Sequence, residues 1–208
     1  MTGIVIKCII TIVIFQNEVN EMTFKMYRPS ALGKADVKVA EGFTVREMRP
    51  GEEADWAFCC LTSFDVDSAS AEYYEEKMAH DEGVRMCDVF FACKDDKPVA
   101  TATAKLEKGE PFLHYVAANP DFRGHKLALP LISEVVNRHI DLGRDGCYLW
   151  TDDWRVPAVK SYLNVGFLPV LFEEGAREVW EKELRLFGMK SVKAYNADMT
   201  PADDVVAY

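Results

Sequence analysis

Two apolar periodicities alternate along the chain from residue 43 to residue 187. Period two lines one face of a strand, and spacing near 3.6 lines one face of a helix. Phe43, Val45 and Glu47-Met48 predict a short strand, closed by Arg49-Pro50-Gly51. Residues 52–61 and 69–79 have helical spacing, with Asp and Glu outside. Residues 89–93 and 99–106 predict a hairpin around the turn Asp95-Asp96-Lys97. Residues 112–118 are continuously apolar except for His114, the pattern of a buried central strand. A turn at 120–124 leads into a long helix from about Lys126 to Leu142, with Gly143 as its C-cap. A strand at 147–151, a short helix at 156–164 with Pro157 in its first turn, and a strand at 167–172 follow. Val179, Trp180, Leu184 and Phe187 then recur at helical spacing. The order β-α-α-β-β-β-α-β-α-β predicts a mixed α/β sheet flanked by helices, antiparallel early and parallel around the long helix.

The ends fit this pattern poorly. Residues 29–42 have no clear period and read as a linker, and the last twenty residues are polar and read as a loose tail. The expected division is an N-terminal extension and linker over 1–42, a folded domain over 43–187, and a tail over 188–208. Residues 3–15 are almost wholly apolar, broken by Lys7 and Thr11. That run is too short for a membrane-spanning helix and lacks the basic leader and cleavage site of a signal peptide. An extra strand, a packing segment and sequence upstream of the natural start all fit it. The last is preferred, with Met22 and Met26 as candidate starts, because no chemistry depends on the segment.

The chain has 208 residues and a formal net charge of -10, which argues against a nucleic-acid partner because a polyanion requires surplus Lys and Arg. Six cysteines occur without a C-x-x-C pair or a histidine at zinc spacing. That is a reduced-compartment pattern with no disulfide framework and no structural metal, and it places the protein in the cytoplasm. A membrane partner is not expected, and a homodimer is compatible with the composition.

The candidate chemistry lies between residues 112 and 172. The strand–turn–helix passage Val116-Ala117-Ala118-Asn119-Pro120-Asp121-Phe122-Arg123-Gly124-His125-Lys126-Leu127-Ala128 sets backbone N–H groups at a helix N-terminus, which suits a diphosphate. Gly124 permits close approach, and Arg123, His125 and Lys126 add positive charge. Taken alone, the passage is equally a plain connection with a solvated basic turn. Further on, Tyr162 stands four residues before Gly166-Phe167.

With both stretches in order, the chain resembles the GNAT superfamily of acetyl-CoA-dependent N-acetyltransferases. The family's loop pattern [QR]-x-x-G-x-[GA] is matched by Arg123 to Ala128. Its N-x-x-A-x-x-[LF]-Y-x-x-x-G-F stretch is matched by Arg155 to Phe167. Lys126 replaces a Gly, Arg155 an Asn and Ser161 a Leu. The resemblance implies an acetyl group moved from acetyl-CoA, as acyl donor, to a small-molecule or peptide amine. It implies that the backbone of Val116, Ala117 and Ala118 pairs with the pantetheine arm. The amides of Arg123, Gly124, His125, Lys126, Leu127 and Ala128 hold the diphosphate, and Tyr162 protonates the departing thiolate. His114 matches the position of the family's carboxylate base, and a near-neutral imidazole suits that role. Tyr115, Asp152 and a water relay compete with it, and a histidine hydrogen-bonded within the sheet fits equally. Cys147 offers a thiol nucleophile but lacks a supporting His motif. Trp150 and Trp154 wall an acceptor pocket or belong to the core. The competing function is a module that binds acyl-CoA without turnover.

Overall fold

The computed structural model describes residues 23–64 and 66–207. Among them, nine strands form one sheet, ordered β2-β3-β4-β5-β6-β1-β7-β8-β9. The strands are β1 (Thr23–Arg28), β2 (Phe43–Glu47), β3 (Val89–Lys94), β4 (Lys97–Glu107), β5 (Glu110–Ala118), β6 (Cys147–Asp152), β7 (Leu168–Leu171), β8 (Ser191–Asn196) and β9 (Pro201–Val206). The helices are α1 (Glu53–Cys60), α2 (Ala71–Tyr74), α3 (Ala128–Asp141), α4 (Val156–Val165) and α5 (Ala176–Phe187). The mixed α/β sheet flanked by helices is the expected fold class. The expected helix at 69–79 is one α-turn, α2, running into a π-helical turn at Glu75–Ala79.

Alternation along the strands makes two cores. In β3, Phe90 and Ala92 join the core under α3, α4 and α5, whereas Val89, Phe91 and Cys93 join the core under α1 and α2. The first core centres on Leu131, Ile132, Val135 and Val136 of α3, all at most 2 % exposed. Each such side chain contributes about 1.5–3 kcal/mol by leaving water. Trp56, fully buried, anchors the second core.

Both ends of the chain correct the expected division. Residues 23–28, read as part of an extension, form β1, which lies inside the sheet between β6 and β7 and is antiparallel to both. Phe24 and Met26 are buried in the first core, and Phe24 stacks on Trp180 at 4.2 Å. Arg28, 4 % exposed, donates from Nε to the Val165 carbonyl at 2.8 Å and so closes the C-terminus of α4. The expected loose tail contains the β8–β9 hairpin, with Val192, Ala194 and Val205 buried. Residues 3–15 lie outside the described residues. No helix among the described residues is long and apolar enough to cross a membrane.

Candidate active site

Strands β5 and β6 are parallel neighbours that pair at one rung, Phe112 with Tyr148. Beyond it they diverge. His139 of α3, fully buried, helps to set the point of divergence, because its Nε2 lies 3.0 Å from the Phe112 carbonyl. Arg144 faces its Nδ1 at 3.0 Å. Arginine only donates, so Nδ1 accepts and Nε2 carries the proton given to Phe112. Burial holds the His139 imidazolium pKa down, at about 4, so the ring is neutral.

Strand β5 also carries a bulge. Thr101 pairs with Ala117 and Thr103 with His114, which sets Tyr115 and Val116 opposite Ala102 alone. Tyr115 has φ +47°, a left-handed conformation that costs a bulky residue of order 1–3 kcal/mol and recurs at functional sites. The bulge turns the Tyr115 ring onto Trp56 and Phe64, at 5.0 and 4.8 Å.

The diverging strands, the start of α4 and the α1–α2 connection enclose a cavity of about 370 Å³. Its walls bring together His114, Tyr115, Val116, Tyr162, Trp150 and Asp152, which the sequence singled out. Tyr162 on α4 is 7 % exposed and packs its ring 6.1 Å from Phe167. Burial pushes its hydroxyl up to about 12, against the pull of Arg155, so it remains protonated. No described residue hydrogen-bonds that hydroxyl. His114 is held down at about 4, chiefly by burial and then by the charge of Lys105. This departs from the near-neutral imidazole expected, because desolvation disfavours the imidazolium. Asp152 is engaged by Arg155, whose Nε donates to Oδ2 at 2.8 Å. Cys147 lies in the first core, and burial pushes its thiol far above the range of a nucleophile. Trp150 is 47 % exposed beside the cavity, while Trp154 stacks on Arg155 at 4.4 Å.

The loop before α3 is held by Asn119, which the sequence reading passed over. Its side chain accepts from the Asp121 amide at 3.1 Å and donates to the Phe58 carbonyl at 3.0 Å. Only its position between a strand and a Pro signalled it. The Phe122 and Arg123 amides bond back to Asn119 and Pro120 at 2.9 and 3.3 Å. The next five amides, 124–128, have no acceptor among the described residues. The row of free donors therefore begins at Gly124, one residue later than expected, and the Arg123 guanidinium donates to Thr62 Oγ1 at 3.0 Å. His125 packs its ring 5.1 Å from Phe43. Lys126, at the family's Gly position, adopts φ +59°, which a Gly would take freely. Leu127 is buried and Ala128 opens α3. Helix and loop together present unpaired N–H groups on the positive end of a helix dipole, which is chemistry suited to a diphosphate. Among the described residues no group of three or more His, Cys, Asp or Glu could hold a metal ion.

The fold resembles several solved structures. A GCN5-related N-acetyltransferase from Sphaerobacter thermophilus superposes with a TM-score of 0.56 at 20% identity, covering 72% of this chain and 48% of that one. An acetyltransferase of the GNAT family from Colwellia psychrerythraea gives 0.55 at 12% identity, covering 71% and 52%. A GCN5-related N-acetyltransferase from Kribbella flavida gives 0.53 at 17% identity, covering 73% and 55%. The chain thus spans about half the length of these structures, and at such identities the likeness is one of fold. No curated protein matches the sequence. The sequence profile of the acetyltransferase (GNAT) family matches residues 52–167, more than half of the chain and every residue lining the cleft except Thr23. The chain belongs to the acetyltransferase (GNAT) family.

Proposed function

We propose that the protein transfers an acetyl group from acetyl-CoA directly to an amine. The observation that carries this reading is the Tyr162 hydroxyl: protonated, unpaired and facing a cleft walled by β5, the strand that leads into the loop of free amides. The unpaired edge of β5 past Phe112 is available for the pantetheine amides, along Val116, Ala117 and Ala118. The amides of 124–128 take the diphosphate.

In the reaction the amine nitrogen forms a bond to the thioester carbon, and the carbon–sulfur bond breaks. Tyr162 gives its proton to the sulfur, and the proton that the nitrogen loses returns through water to the Tyr162 oxygen, so protons and charge balance and the enzyme is restored. His114 is too weak a base, at about 4, to deprotonate an ammonium outright. It instead accepts a hydrogen bond from the neutral amine and orients it. The ammonium proton leaves through water or Asp152.

The test is coenzyme A release from acetyl-CoA across a panel of primary amines, with binding measured in parallel by calorimetry. Release that depends on one amine class supports the proposal. Tight acetyl-CoA binding without release with any amine would favour the binding-module reading.

A further inference from the structure

Arg155 is the family-pattern departure that reaches furthest into the cavity. Its Nε is engaged by Asp152, while its two terminal nitrogens, with four N–H groups, have no acceptor among the described residues. The guanidinium carbon lies 5.7 Å from the Phe64 ring centre and 4.4 Å from that of Trp154, so the group is held between aromatic rings. Phe64 belongs to the α1–α2 connection and touches Tyr115. Arg155 therefore spans from the start of α4 to the side of the sheet opposite α3.

The other charged side chains lining the cavity are the carboxylates of Asp152 and Glu107, and His114 is neutral. The cavity thus holds a cationic fork with unused donors, two anions and a wall of rings from Phe64, Tyr115 and Trp150. A simple amine would use the anions and the rings and leave the fork unsatisfied. A zwitterion with an apolar body uses all three. A planar guanidinium matches a carboxylate through two parallel hydrogen bonds, and Nε of Arg155 is already fixed by Asp152, so the fork is oriented in advance.

We propose that the acceptor is a neutral α-amino acid with an apolar or aromatic side chain, its carboxylate held by the terminal nitrogens of Arg155. This inference rests on the acyl-transfer reading above and specifies its substrate. Arg155 here is a specificity-determining residue.

The test compares L-phenylalanine with 2-phenylethylamine, and L-leucine with isopentylamine, at fixed acetyl-CoA. Wild-type kcat/KM should favour the amino acid of each pair by about 30-fold, the order expected of a charge-assisted bidentate pair. Arg155→Gln should bring each ratio to within about threefold of unity, and Arg155→Lys should keep an intermediate ratio. A merely structural role, or stabilisation of the departing thiolate, would lower both members of a pair alike and leave the ratio unchanged. That result would overturn the assignment. Turnover of other amines with neither amino acid accepted would overturn it as well. Failure of every amine to release coenzyme A from bound acetyl-CoA would instead sink the acyl-transfer reading itself.

Discussion

At the scale of single residues, the site turns on how burial treats titratable groups. Tyr162, pushed up to about 12, is kept as an acid, and His114, held down at about 4, is kept neutral. Tyr162→Phe keeps the ring that packs near Phe167 and removes only the proton donor. Turnover should fall about a hundredfold, corresponding to about 2.7 kcal/mol of transition-state stabilisation, with acetyl-CoA affinity unchanged. Steady-state rates and calorimetry on one preparation check both halves. A rate within twofold of wild type, with chemistry limiting, would remove Tyr162 from the mechanism. His139 makes a second prediction, about stability. Its pKa is lowered from 6.5 to about 4 on folding, so between those values the unfolded chain binds more protons than the folded one. Its contribution is therefore complete above pH 6.5 and is lost as pH falls toward 4, by about 1.4 kcal/mol per pH unit. His114, lowered to about 4 as well, adds a comparable term, so urea denaturation between pH 6 and 5 should show both, and His139→Gln should remove about half of the slope. An equal slope in both proteins would rule His139 out as its source.

Among the elements, the loop before α3 separates backbone strain from ligand approach. Gly124 (φ +86°) and Lys126 (φ +59°) are both left-handed, and a Cβ added at Gly124 would meet no protein atom within 4 Å. A larger side chain there meets open space that the proposed diphosphate would fill. Gly124→Val should therefore weaken acetyl-CoA binding at least tenfold, beyond a stability cost of about 1–2 kcal/mol from the positive φ. Lys126→Gly relieves the strain at its own position and should raise the melting temperature by about 2–4 °C, matching a gain of about 1 kcal/mol. Calorimetry and thermal unfolding on the two variants separate the effects. Unchanged affinity in a folded Gly124→Val protein would move the diphosphate elsewhere.

Across the whole molecule, β1 ties the N-terminal part of the chain to the chemistry. It bridges β6 and β7, and its last residue, Arg28, closes the helix that carries Tyr162. A chain beginning at Met22 keeps all of β1 and should fold and bind acetyl-CoA. A chain beginning at Met26 loses Phe24 and its stack on Trp180 and should be insoluble or melt far lower. Truncating such a buried aromatic side chain alone costs about 3–5 kcal/mol. Soluble yield and thermal unfolding of the two chains decide this. An insoluble Met22 chain would show that residues 3–15 pack on the core.

What the sequence determined by itself lies where the signal is local. The hairpin turn at Asp95-Asp96, the amphipathic stripe of α3 and the order of loop, Tyr162 and Gly166 are each written within a few residues of themselves. Turn chemistry and side-chain periodicity act at that range. The mixed sheet and the family followed from their order. Tertiary structure alone decided where β1 and β8–β9 go, since Thr23-Phe24-Lys25-Met26-Tyr27-Arg28 names no partner strand and finds one more than a hundred residues away. It decided the divergence at Phe112, which depends on a histidine 27 positions later. It decided that Arg155, Phe64 and Glu107 share one cavity, although no spacing links them. And it decided the His114 pKa, because desolvation is a property of everything packed around a group and is absent from the residue's own letter.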